Sequence, residues 1–119
     1  MRGLQFSVSL KNNYEFRRLY SKGQSAALPT LVVYARRTKR AQNRVGYTVS
    51  VKLGHAVVRN RVRRRLREIY RLHESEIRCG YDLVVVARAR SVKAEFGQLE
   101  KDYLGCLRTL GLIRSEGQA

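Results

Sequence analysis

The sequence predicts one α+β domain, a sandwich in which helices pack on a single sheet, and three stretches carry that prediction. Val45, Tyr47, Val49 and Val51 alternate with Gly46, Thr48 and Ser50, the period of a strand with one buried face. Leu83-Val84-Val85-Val86 is a short continuous apolar run, as in a central strand covered on both faces. His55 to His73 repeats apolar residues at helical spacing. A chain of 119 residues has room for one core and not for two. No internal repeat, low-complexity linker or composition shift divides it, so residues 1–119 read as a single domain with flexible tails at 1–9 and 114–119.

Taken in order, Asn12-Asn13-Tyr14-Glu15 places a capping residue three positions ahead of a glutamate. The helix it opens carries Phe16, Leu19 and Tyr20 at i, i+3 and i+4, and stops near Gly23. Arg17, Arg18 and Lys22 lie off that face. On spacing alone, Phe16 and Tyr20 are core-packing residues. Pro29 breaks the chain, and Leu31 to Ala35 then reads as a strand that ends in the basic, turn-rich loop Arg36 to Asn43. Strand, loop and strand at this spacing suggest a hairpin between Leu31–Ala35 and Val45–Val51. The arginine-rich helix follows, then the strand Tyr81 to Ala87 after Gly80. Phe96, Leu99, Tyr103, Leu107 and Leu110 mark a last amphipathic helix ended by Gly111. The order is helix, strands, helix, strand, helix.

The middle helix contains Arg59-Asn60-Arg61-Val62-Arg63-Arg64-Arg65-Leu66-Arg67, in which six of nine residues are arginine. At about 100° per residue, Val58, Val62, Leu66 and Ile69 share a sector roughly 80° wide. Arg63, Arg64, Arg67 and Arg71 fall opposite, while Arg61 and Arg65 border the stripe one turn apart. Gly54 precedes the helix, and Glu68 stands at pairing distance from Arg64 and Arg65. The apolar side must dock, which holds the guanidinium groups in a fixed array suited to phosphates. A solvated charge run is the plain alternative. Against it stand the near-exclusive use of arginine over lysine in this helix and the basic character of the remaining chain.

That character is pronounced. The net charge is +16, from 25 Lys+Arg against 9 Asp+Glu, and no acidic residue occurs between Phe16 and Arg67. Like charges at this density repel unless a polyanion neutralises them, which makes nucleic acid the leading partner. An anionic membrane competes poorly, because no apolar run approaches a spanning length and the basic helix lacks an aromatic-rich apolar face. The first ten residues carry only scattered apolar side chains and no small-residue cleavage site, so they do not read as a secretory signal. Cys79 and Cys106 are widely spaced and read as free thiols of a reduced, cytoplasmic protein.

Catalytic chemistry finds little support. No two of the nine acids read as a carboxylate dyad, and His55 and His73 lie 18 positions apart. No cysteine pair has a zinc spacing, and neither a phosphate-cradling glycine loop nor Gly-x-Ser-x-Gly occurs. Sequence-specific duplex reading is disfavoured too, since no two-helix recognition unit with a tight turn is present.

Arg59-Asn60-Arg61-Val62-Arg63-Arg64, preceded by Gly54 and by Arg44-Val45-Gly46-Tyr47-Thr48-Val49-Ser50, resembles the protein component of bacterial ribonuclease P. Phe16 with Tyr20, the strand Leu31 to Ala35 and Val84-Val85-Val86-Ala87-Arg88 extend the resemblance, in order, from about Leu10 to Leu110. The resemblance implies an αβββαβα order and a four-stranded sheet with a left-handed βαβ crossover around the basic helix, like domain 2 of ribosomal protein S5. General rules alone would make that crossover right-handed. It implies also that an RNA subunit, with bound Mg2+, is the catalyst that cleaves precursor tRNA at the mature 5′ end, one protein serving each RNA. No metal is then expected on the protein. Arg59, Asn60, Arg61, Arg63, Arg64 and Arg67 resemble the face that meets the catalytic RNA. Phe16, Tyr20, Val32, Tyr34, Lys52 and Arg88 resemble a cleft for the single-stranded 5′ leader, where rings stack on unpaired bases. This sequence departs from the family at Val51, where a second lysine is usual, and at Tyr20, where phenylalanine is common; His55 stands at a variable position. A non-catalytic structural RNA-binding protein, such as a ribosomal protein, is the alternative.

Overall fold

The computed structural model describes residues 7–9 and 13–113. In chain order these form β1 (Ser7–Ser9), α1 (Asn13–Lys22), β2 (Gln24–Leu28), β3 (Leu31–Arg37), β4 (Asn43–Thr48), α2 (Ala56–His73), β5 (Tyr81–Ala87) and α3 (Phe96–Thr109). The sheet order is β1-β4-β5-β3-β2. The expected αβββαβα core and its four strands are present, and β1 adds a short fifth strand parallel to β4. Ser7–Ser9 is therefore part of the sheet rather than of a flexible tail. Asn12, the proposed capping residue of α1, lies outside the described residues, as do 1–6, 10, 11 and 114–119.

The expected hairpin between β3 and β4 does not form. β5 sits between them, antiparallel to β3 and parallel to β4, while β3 turns back on β2 through Pro29 and Thr30. The apolar run Leu83–Val85 explains this arrangement: fully buried residues need strand neighbours on both edges and cover on both faces. β4, α2 and β5 thus make a βαβ unit. β2, to which the hydrophobic pattern alone assigns no residues, is a largely exposed edge strand defined by its pairing with β3.

One sheet face carries the main core. Leu31, Val33, Ala35, Val45, Leu83 and Val85 are buried there against Val62, Leu66, Ile69 and Tyr70 of α2 and Leu99, Tyr103, Cys106 and Leu107 of α3. Asp102 of α3 reaches across to the β2–β3 turn, accepting hydrogen bonds from the Thr30 hydroxyl at 2.7 Å and the Thr30 amide at 3.1 Å. Gly111 ends α3 in the left-handed region, φ 77°, and the amides of Gly111 and Leu112 return to Arg108 and Leu107 at 3.0 and 2.9 Å. The opposite face is thinly covered. There Leu19 of α1 and Val84 form a small buried cluster, edged by Phe16, Tyr34 and Val86.

β4 stops at Thr48, short of the expected Val51. Val49 is still buried, but Val51 is 72% exposed in a short 3-10 turn, Val51–Leu53, which the Ser50 hydroxyl caps by accepting from the Lys52 amide. At the far end of α2, His73 bridges two acids, with Nε2 2.8 Å from Glu100 and Nδ1 3.1 Å from Glu76. Partial burial lowers the imidazole pKa, but these carboxylates outweigh it, so the group titrates above its ordinary value. A raised folded-state pKa stabilises the protein fully below the unfolded value of about 6.5, and the effect is lost as pH rises through the folded value. The unfolding free energy of the parent should therefore exceed that of His73→Gln at pH about 5.5 and converge with it near pH 8.5. Parallel denaturant curves with a constant difference across that range would contradict the bridge.

Candidate nucleic-acid interface

The approach to α2 is fixed by Gly54. Its φ of 145° is one that L side chains rarely adopt, and a Cβ there would stand 3.2 Å from two side-chain atoms of Val58. The chain then enters α2, whose Val62, Leu66, Ile69 and Tyr70 are buried at helical spacing while Val58 is half-buried. The predicted apolar stripe is the docked side, with Tyr70 added to it.

Arginines on this helix divide into anchored and free. Arg65, expected at the border of the stripe, donates from Nη1 to the Ala94 carbonyl at 3.1 Å. Arg59 donates from Nε to the Gly54 carbonyl at 3.2 Å, and Arg63 donates to Asn60 Oδ1 at 2.8 Å. Glu68 does not pair with Arg64 or Arg65, as its spacing suggested. It binds Arg71 in a bidentate pair at 2.9 and 2.5 Å, because i+3 toward the C-terminus offered a second fork on the same face. Arg61, Arg64 and Arg67 are consequently exposed, with no carboxylate partner among the described residues. Asn60 is exposed beside them, and Arg59 and Arg63 are half-buried. All six residues expected on the arginine face lie within three turns of one helix.

The second predicted group gathers on the other face of the sheet. Tyr20 and Tyr34 meet edge to face, with ring centroids 5.0 Å apart and planes at 71°, and the Tyr20 hydroxyl lies 2.8 Å from Thr48 Oγ1. Phe16 and Tyr34 pack on Leu19 and Val84. Val32 pairs with Val86, and Val86 with Thr48, so these three make the next rung on the same face. The result is a groove floored by half-buried aliphatic side chains, with α1 and its rings as one wall. Lys52 and Arg88 follow the ends of β4 and β5, at the same end of the sheet; Arg88 is exposed and donates to the Leu28 carbonyl at 3.2 Å. Thr48, Val84 and Val86 were absent from the sequence reading of this groove. Thr48 sits out of phase with the buried Val45 and Val49, a signal for the opposite face, and Val86 is only half-buried although its run suggested full cover.

Several acids of the described chain are occupied structurally. Arg44 binds both Glu15 and Asp82, Arg71 holds Glu68, and Asp102 serves Thr30. Bonding to Asp82 and Glu15 raises the Arg44 pKa despite its burial. Among the described residues no group of three His, Cys, Asp or Glu side chains is placed to hold a metal ion, and no helix is long and apolar enough to cross a membrane.

The profile of the family described as Ribonuclease P matches residues 4–111. The chain belongs to the ribonuclease P protein family. It is 47% identical over 93 residues to the ribonuclease P protein component of Thermoanaerobacter sp. strain X514, covering 78% of this chain and 80% of that protein. Identity to the ribonuclease P protein component of Alkaliphilus metalliredigens is 38% over 110 residues, or 92% and 99% of the two chains. The solved structure of the Staphylococcus aureus RNase P protein superposes with a TM-score of 0.82 at 34% identity, over 89% of this chain and 97% of that one. The architecture described above is thus the fold of this family.

The division into anchored and free arginines has a direct readout. Arg65→Ala should cost ~1–2 kcal/mol in denaturant unfolding, through a lost charged hydrogen bond and lost stem packing. Arg64→Ala should stay within about 0.5 kcal/mol of the parent. Equal costs for the two would contradict the assignment.

Proposed function

We propose that this chain is the protein subunit of a ribonuclease P ribonucleoprotein, an endoribonuclease that removes the 5′ leader from precursor tRNA in the cytoplasm. The RNA subunit is the catalyst. α2 holds that RNA through Arg59, Asn60, Arg61, Arg63, Arg64 and Arg67, and the groove beside α1 holds the unpaired leader through Phe16, Tyr20, Val32, Tyr34, Lys52 and Arg88. One protein serves each RNA.

The observation that carries this reading is the placement of two different recognition surfaces on opposite faces of one sheet. α2 packs on the face that holds the main core, and the aromatic groove occupies the other. Free guanidinium groups on a docked helix suit a phosphate backbone whose bases are already stacked. Rings beside cations suit unpaired bases, with stacking worth roughly 1–3 kcal/mol per base. Acids committed to Arg44, Arg71 and Thr30 leave no carboxylate pair for general acid-base work on these surfaces. On this reading Mg2+ is held mainly by the RNA subunit.

Phe16→Ala and Tyr20→Ala should weaken binding of leader-bearing precursor tRNA to the holoenzyme by roughly 5- to 150-fold each. Mature tRNA should bind unchanged. Equal loss for both substrates would favour a purely structural RNA-binding protein. Neutralising about five phosphates also predicts a slope of log affinity against log salt of roughly −3.5 to −4.5 for the catalytic RNA. The slope should become shallower in Arg64→Gln and Arg67→Gln; a flat salt dependence in the parent would refute the arginine face.

A further inference from the structure

The end of β3 and the loop joining it to β4 carry Arg36, Arg37, Lys39 and Arg40, a charge cluster that neither surface described above uses. It forms one wall of a cleft of ≈ 530 Å³, the other wall being α1 with Glu15, Arg18 and Leu19. The loop is tightly built. The Thr38 amide and hydroxyl both donate to the Gly80 carbonyl, at 2.7 and 3.2 Å, and the Arg40 amide donates to the Thr38 hydroxyl at 3.1 Å. At its end, Asn43 donates to the Tyr70 hydroxyl of α2 at 3.1 Å and to the Arg78 carbonyl at 2.9 Å, and accepts from the Tyr81 amide at 2.8 Å.

The two acids at the cleft floor, Glu15 and Asp82, are both bound by Arg44. Among the described residues, Arg18, Arg36, Arg37, Lys39 and Arg40 have no carboxylate partner. Six cations, Arg44 included, therefore line the hollow against two carboxylates, both held by Arg44, and this positive excess suits an anion.

The cleft and the aromatic groove lie on opposite flanks of α1. Phe16 and Tyr20 meet the rung Val32–Val86–Thr48, whereas Glu15 and Arg18 meet the rung Arg36–Asp82–Arg44. A helix about 10–12 Å thick separates them. A leader seated in the groove would have to double back around α1 to enter the cleft. No residue lining the cleft is aromatic, so it offers phosphates their counter-charge but gives unpaired bases no platform. A folded RNA, with bases stacked inside and phosphates outside, matches that lining. Asn43 ties the loop to Tyr70 through the core, so the loop is held in a fixed position relative to α2.

We infer that this cleft is a second RNA-backbone site, holding phosphates of the same folded RNA that α2 binds and not the leader. The inference rests on the proposal that α2 binds a folded RNA. One folded RNA would then be gripped from both faces of the sheet, by α2 on one and by the cleft beside α1 on the other.

The test uses the full chain with Arg37, Lys39 and Arg40 each changed to Gln; all three are exposed. Affinity for the catalytic RNA alone is measured across a salt series. The triple variant should bind roughly tenfold more weakly at moderate salt, with a log-log slope shallower by about 2–3, and Arg40→Gln alone should give about a third of that change. Thermal unfolding should be unchanged, as should the ratio of precursor to mature tRNA affinity in holoenzyme assembled at saturating protein. Unaltered RNA affinity and slope would overturn the inference, as would a loss confined to substrate binding. A companion variant of Arg61, Arg64 and Arg67, each to Gln, separates the two ideas. Should it also leave RNA binding intact, the α2 reading fails; should it alone weaken binding, only the cleft is lost.

Discussion

The docking of α2 on the sheet is the constraint from which the rest of the molecule follows. Val62, Leu66, Ile69 and Tyr70 are buried against β4, β5 and α3, each apolar side chain worth about 1.5–3 kcal/mol relative to exposure. That burial is what holds a row of guanidinium groups in register. A free helix with this many like charges would fray, because neighbouring cations at i, i+3 and i+4 repel. Here the underside supplies the order, and Arg65 and Arg59 fasten the flanks to backbone carbonyls. The exposed arginines therefore point outward as a consequence of packing beneath them.

With 25 basic and 9 acidic residues, placement of the acids decides which cations remain available. The acids that meet a partner among the described residues are spent on structure. Arg44 gathers Glu15 of α1 and Asp82 of β5, which ties the thinly packed helix to the sheet. Arg71 takes Glu68, and His73 links Glu76 with Glu100 at the junction of α2 and α3. Among the cations left unpaired are those on the α2 surface and around the β3–β4 loop.

Much of this was legible in the residues. The α2 stripe, the α3 periodicity and the apolar run of β5 each announce their element, since burial imposes spacing that survives any tertiary context. Spacing suggests a β3–β4 hairpin that does not form, because local spacing cannot register a strand, β5, that arrives more than thirty residues later. β2 leaves no hydrophobic signal because Gln24-Ser25-Ala26-Ala27-Leu28 is an edge with little to bury, and pairing rather than hydrophobicity makes it a strand. The arginine face needed only a helical wheel. The partner of Glu68 did not follow from it, since several arginines lay at permitted spacing and rotamer geometry chose among them. Phe16 and Tyr20 looked like core residues, and part of that reading stands: Phe16 does pack on Leu19 and Val84. What periodicity could not show is that α1 covers only part of its sheet face, so the rings are left at a groove edge.

A sheet with α2 on one side and an aromatic groove on the other has a consequence for whatever it joins. The domain measures 38 × 35 × 31 Å, so a strand on the outer surface of α2 and one in the aromatic groove stand farther apart than the screening length at physiological salt, about 8 Å. Strands in direct contact would push each other away; with this cationic slab interposed, each sees a positive neighbour first. The protein would act as a spacer that lets two negatively charged chains share one assembly.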